Sequence, residues 1–153
     1  MSKVQPIPPG HHTLTPSLTC KDAARAIEYY KRAFGATERG RLNGPGGLIM
    51  HAELLIGNSL LFVTDEMPDM GNASPQKLGG TSVGLHVYTE DCDAMFKRAI
   101  EAGGSERMPL ADQFWGDRYG QITDPFGHVW GIGTHKEDVT EAQMMERMKA
   151  MSS

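Results

Sequence analysis

Apolar and polar positions change period along this chain, and the order of the changes repeats. Residues 13–20 alternate as a strand does, and Asp22 then opens a stretch to about Phe34 in which Ala26, Ile27, Tyr30, Ala33 and Phe34 recur at helical spacing. After Gly35 the period returns to two over residues 37–42, 49–56 and 59–64, with a glycine-rich turn at residues 44–47 and a two-residue hairpin turn at Gly57-Asn58. Residues 65–80 mix polar residues with Pro and Gly and have no period. The pattern then restarts. Residues 82–88 read as a strand, Asp91 caps a helix to about Ala102, Gly103-Gly104 ends it, and Ser105 leads into three further strands.

The same order, β-α-β-β-β, therefore occurs twice. The helices also carry similar strings, Tyr30-Lys31-Arg32-Ala33 and Phe96-Lys97-Arg98-Ala99, so an internal duplication is the economical reading. The expected fold is α+β: two paired βαβββ modules forming a cupped mixed sheet with helices outside, a shape whose concave face suits a small ligand. Module 1 spans about residues 12–65, a linker about 66–80 and module 2 about 81–136, all within a single domain. Residues 140–151 add a C-terminal amphipathic helix, which starts with a capping box, Thr140 and Gln143, and sets Met144, Met145, Met148 and Met151 on one stripe. That stripe is expected to pack on the chain's own sheet or on a second subunit, since Met adapts to irregular apolar surface.

Composition narrows the partners. A chain of 153 residues that is 39% hydrophobic can bury a core without disulfides. Its net charge of −4, with acids and bases interspersed, recommends neither nucleic acid nor an anionic membrane, which leaves a small molecule as the expected ligand. Cys20 and Cys92 have no Cys-x-x-Cys spacing and fit reduced thiols in a cytoplasm, and residues 1–10 lack the apolar run of a signal peptide.

The densest motif is Asp112-Gln113-Phe114-Trp115-Gly116-Asp117-Arg118-Tyr119, followed by Asp124-Pro125-Phe126-Gly127-His128 and Gly131-Ile132-Gly133-Thr134-His135. Pro125 presets φ, Gly127 accepts positive φ and Asp124 can bond backbone N–H groups beyond it, so Asp-Pro-Phe-Gly reverses the chain between two strands. With Asp22 to Tyr30 and Met50-His51-Ala52-Glu53-Leu54, these residues resemble the vicinal oxygen chelate superfamily, the glyoxalase and bleomycin-resistance fold, and within it the PhnB-like branch. The likeness runs from about residue 8 to residue 139. It implies a homodimeric, cytoplasmic, usually bacterial protein that handles a small molecule. Metal-dependent members hold a divalent ion with four side chains, and by alignment those positions fall at Thr15, Phe62, Ser82 and Gly131. Two neutral hydroxyls, a phenyl ring and a glycine cannot supply the charge and donors that such an ion needs, so no cofactor is expected.

Other polar groups share the cup face by strand parity. Across the Gly57-Asn58 hairpin Glu53 lies opposite Phe62 and His51 opposite Thr64, while His86 shares parity with Ser82 and His135 with Gly131. His51, Glu53 and His86 admit three readings: a displaced metal site for Zn²⁺ or Fe²⁺, an acid/base pair, or a structural anchor among satisfied cavity residues. Phe114, Trp115, Tyr119, Arg118, Gln121 and His135, with Phe62, Thr15 and Ser82, are the candidate ligand contacts, since aromatic residues beside charges suit a flat ligand. In the competing view the aromatics merely pin a loop, and Asp117 pairs with Arg118 or with backbone. Three functions follow: a metal-independent binder like the bleomycin-resistance proteins, an enzyme of lyase, isomerase or dioxygenase type using Glu53 with His51 or His86, or an accessory protein acting through its Met-rich helix.

Overall fold

The computed structural model describes residues 3–152 and divides into two compact units, Met1–Leu78 and Gly79–Ser153. In unit 1, β1 (Ser17–Cys20) leads to helix α1 (Ala23–Phe34), then β2 (Thr37–Asn43), β3 (Ile49–Ile56) and β4 (Ser59–Asp65), followed by a short helix α2 (Pro75–Leu78). In unit 2, β5 (Gly84–Tyr88) leads to α3 (Cys92–Glu101), β6 (Ser105–Asp112), β7 (Asp117–Thr123), β8 (Val129–His135) and α4 (Glu141–Met151). Both units form four-stranded mixed sheets of matching order, β1-β4-β3-β2 and β5-β8-β7-β6, with the first strand parallel to the last. The α+β class and the repeated βαβββ order are thus as the periodicity predicts.

Two differences from the sequence reading matter for the site. The first strands of the units start at Ser17 and Gly84 rather than at residues 13 and 82, so Thr15 and Ser82 lie just upstream of the ladders. Pro16 has no N–H to give to a ladder, although its carbonyl accepts from Phe62 N at 2.9 Å. The linker, read as aperiodic, contains a single 3-10 turn at Pro68–Met70 and the short α2.

The helices form where their caps say. Asp22 accepts from Arg25 N and Asp91 from Ala94 N, each satisfying one of the first-turn donors that a helix leaves without partners. Gly35 ends α1 at φ 68°, a left-handed conformation in which a Cβ would be strained. Helices α1 and α3 each bury an apolar stripe against their own sheet. In unit 1, Ala26, Ile27, Tyr30 and Ala33 are fully buried together with Ala52, Leu54 and Val63 of β3 and β4; in unit 2, Ala99 is buried with Ile122, Trp130 and Ile132. The caps also set the correspondence between units: Ala23 matches Cys92, Ala26 matches Met95, and Tyr30 matches Ala99. The Tyr30 and Phe96 strings are one helical turn out of step with it, so the duplication rests on the order of elements and the register, not on that short match.

The correspondence extends to how each helix is tied down. Buried Asp65, at the end of β4, accepts from Ala23 N at 2.8 Å and Ile49 N at 2.7 Å. At the end of β8, Thr134 Oγ1 accepts from Cys92 N at 2.9 Å and donates to Thr89 O at 2.7 Å. The Asp-Pro-Phe-Gly turn behaves as its residues predict. Asp124 Oδ1 accepts from Phe126 N at 2.8 Å and His128 N at 3.0 Å, and Oδ2 accepts from Trp130 Nε1 at 2.9 Å.

Candidate functional site

Strand alternation gives each sheet one face under its helix and one face without it. On the second face of unit 1, Glu53 faces Phe62 across β3 and β4, as predicted. His51 Nε2 lies 3.6 Å from Glu53 Oε1, and its ring packs edge-on to Phe62 at 4.7 Å. A second imidazole completes the group: His11, from the N-terminal arm, places Nε2 3.2 Å from Glu53 Oε1 and Nδ1 3.3 Å from Pro9 O. Burial would raise the Glu53 carboxyl, but the contacts with His11 and His51 outweigh it and hold the group below the usual carboxylate range. His12 is exposed, and Thr15 is half-buried.

The same face of unit 2 carries aromatic rings. His86 stacks on Tyr119 with centroids 5.2 Å apart and planes 8° from parallel, and lies 4.5 Å from the Tyr88 ring. Trp115 meets Tyr119 at 5.7 Å, and Phe114 meets Trp115 at 5.1 Å. Glycine makes this layer possible. Gly131, paired with His86 in β5 and with Gln121 in β7, is covered by Tyr119, and a Cβ there would sit 2.6 Å from the Tyr119 hydroxyl. Gly133 likewise lies beneath Tyr119 and His86.

Below the rings lies Asp117, only 2% exposed. It accepts from Tyr88 Oη at 2.7 Å, Trp115 Nε1 at 3.0 Å and His135 Nδ1 at 2.7 Å. Burial pushes this carboxyl up, yet the His135, Tyr88 and Trp115 contacts together hold it below its ordinary value. The hydrogen bond to Asp117 in turn raises the Tyr88 phenol. Asp117 does not pair with Arg118. Successive residues of a strand point to opposite faces, and Arg118 turns to the helix side, where it binds Asp93 of α3 at 2.9 Å and Asp112 at 3.4 Å. Arg118 is thereby separated from Tyr119, its neighbour among the candidate ligand contacts.

The remaining candidates fall as follows. Gln121 donates to Tyr119 Oη at 2.9 Å and accepts from Arg107 Nη1 at 2.7 Å. His135 is half exposed, Ser82 is exposed, and the Phe114 carbonyl accepts from Arg147 of α4 at 3.2 Å. His86 belongs to unit 2, with its neighbours there; the residue that the fold brings within hydrogen-bond distance of Glu53 is His11. The sequence alone does not show Tyr88, Arg107, the partners of Asp117 or the placement of His11 against Glu53. Parity could have found Tyr88, which shares a face with His86, and the face of Asp117, which it shares with Tyr119.

The residues at the family's metal positions do not fit an ion. Phe62 and Gly131 offer no donor, Phe62 is engaged by the His51 ring, and Gly131 is covered by Tyr119. Among the described residues no three His, Cys, Asp or Glu side chains gather in metal-holding geometry.

Residues 10–132 match the model of the Glyoxalase/Bleomycin resistance protein/Dioxygenase superfamily. The chain belongs to this superfamily. An uncharacterized Mycobacterium bovis protein is 45% identical over 143 residues, covering 92% of this chain and 92% of its own. The superfamily fold also recurs in the crystal structure of TioX from Micromonospora sp. ML1, at a TM-score of 0.65 and 29% identity over 81% of this chain and 98% of that one. A PhnB protein from Bacillus cereus matches at a TM-score of 0.63 over 80% of this chain and 99% of its own, and at 18% identity it shares the fold alone. No helix among the described residues is long and apolar enough to cross a membrane.

Proposed function

We propose that this protein is a PhnB-like member of the superfamily that binds a flat small molecule on the aromatic face of unit 2 without a metal. The observation that carries the reading is the His86–Tyr119 stack, half-exposed and flanked by Tyr88 and Trp115, because rings already held parallel offer a further ring a preorganised surface. The glycines of β8 keep that surface flat. In this reading Asp117 and Gln121 position the rings rather than react. The protein acts as a homodimer, with Met145, Met148 and Met151 of α4 exposed on each chain, and in a cytoplasm, where its two buried free cysteines stay reduced.

Titration of flat aromatic compounds, followed by tryptophan fluorescence and melting temperature, tests the reading. Quenching that is lost in Trp115→Phe but kept in His51→Ala is expected, and a broad aromatic library that produces no response would overturn it. Elemental mass spectrometry of untagged protein purified without chelator tests the metal-free claim, which about one metal ion per chain would sink.

One observation favours a second reading, an enzyme with acid/base chemistry at Glu53. Its carboxylate is held ionised beside His11 and His51, so that proton exchange needs only one hydrogen bond to a substrate. Glu53→Gln should abolish any turnover found, and unchanged turnover would remove Glu53 from that role.

A further inference from the structure

The hydrogen bonds at the edge of the aromatic face run in one direction. Arg107 has only donors, so the Gln121 atom that it meets at 2.7 Å must be the amide oxygen. The Gln121 NH₂ is then the group facing Tyr119, and at 2.9 Å it donates to the hydroxyl oxygen. The Tyr119 hydroxyl, already accepting, has its own proton left to give. From the placement of these three residues we infer that Tyr119 is the hydrogen-bond donor to a carbonyl or oxyanion oxygen of the ligand, at the end of a relay running Arg107 to Gln121 to Tyr119. This rests on the reading that a flat ligand occupies the face.

Two features show that the relay is built into the fold. Glu106 pairs with Ile122 and Met108 with Gln121, so Arg107 is the extra residue of a β-bulge in β6, a device that re-aims a side chain. Gly131 leaves room for the Tyr119 hydroxyl where a side chain would displace it. Each bond in such a chain polarises the next, and the guanidinium at its head makes the terminal O–H a better donor than an isolated phenol. The ligand class is therefore a flat aromatic ring bearing a carbonyl or an ionised oxygen. Arg107 and Gln121 are positioning residues, since neither needs to touch the ligand.

The test uses two probes of one shape, 1-acetonaphthone and 1-isopropenylnaphthalene, which has a CH₂ where the ketone has oxygen. With the full chain, the ketone should bind on the order of tenfold tighter than the hydrocarbon, and its carbonyl infrared stretch should move to lower frequency on binding. Tyr119→Phe should remove both differences while still binding the hydrocarbon. Arg107→Leu should reduce the frequency shift without contacting the probe, and Arg107→Lys should restore most of it. Equal affinity for the two probes with no frequency shift would overturn the donor role and leave the stacking surface standing. Retention of the full shift in Tyr119→Phe or in Arg107→Leu would overturn the relay. Failure of both probes to bind would overturn the flat-ligand reading and this inference together.

Discussion

Asp117 and His135 face each other across β7 and β8, and the Asp117 Oδ1 to His135 Nδ1 distance is 2.7 Å. The other ring nitrogen of His135 lies 2.8 Å from Asp138 Oδ1, so the imidazole bridges a buried carboxylate and an exposed one. This bridge holds the end of β8 to the start of β7, the point from which Trp115 enters the aromatic face.

A pH dependence follows from its sign. The contacts with Asp138 and Asp117 raise His135 above its ordinary 6.5, so its stabilisation is whole below pH 6.5 and is lost as pH rises through the raised value. Asp117 is held below its ordinary 3.8, so its contribution is whole above pH 3.8 and is lost as pH falls through the lowered value. The melting temperature of the wild type should exceed that of His135→Gln most between those limits, with the gap closing on the alkaline side. Calorimetry across the range reads this directly, and an undiminished gap in alkali would contradict it.

Gly131→Ala tests the architecture of the rings. The new methyl group would sit 2.6 Å from the Tyr119 hydroxyl and 3.0 Å from its Cζ, so the Tyr119 ring must move. Overpacking of this kind costs about 1–3 kcal/mol where nothing can yield, and here the half-exposed tyrosine yields instead. Little change in folding stability is expected, but the ring-current shift that Tyr119 imposes on the His86 proton resonances should be lost. An unaltered His86 spectrum would mean that the stack does not depend on the glycine.

Asp65 and Thr134 perform the same task in the two units, and their substitutions should differ in degree. Asp65→Ala leaves the Ala23 and Ile49 N–H groups without their acceptor in a buried place, at about 1–3 kcal/mol for each. Thr134→Val strands one N–H, that of Cys92, together with the Thr89 carbonyl, and keeps the side-chain volume. Urea unfolding should therefore show the larger loss for Asp65→Ala. The reverse order would mean that the capping carboxylate is readily replaced by water.

Helix α4 is tied to unit 2 by Arg147, which donates to Glu137 at 2.7 Å and to the Phe114 carbonyl, while Met145, Met148 and Met151 stay exposed. If the methionines cover a second copy, deletion of residues 140–153 should shift the mass in analytical ultracentrifugation toward the monomer. The same dimer mass before and after deletion would assign the contact to another surface.

By itself the sequence determined the βαβββ repeat, the helix caps at Asp22, Asp91 and Thr140, the Asp124 turn and the pairing of Glu53 with Phe62. Each of these follows from residues a few positions apart, where periodicity, capping and turn chemistry act locally. Parity also carried a signal about Asp117 and Arg118, since neighbours on a strand face opposite ways. Tertiary structure alone decided the rest. It brought His11 from the N-terminal arm onto Glu53, aimed Arg107 at Gln121 through a bulge that no periodicity reveals, and laid Tyr119 over Gly131. Those contacts join residues distant in sequence, and their partners are chosen by strand register and by the space a missing side chain leaves, neither of which is a property of any short stretch of chain.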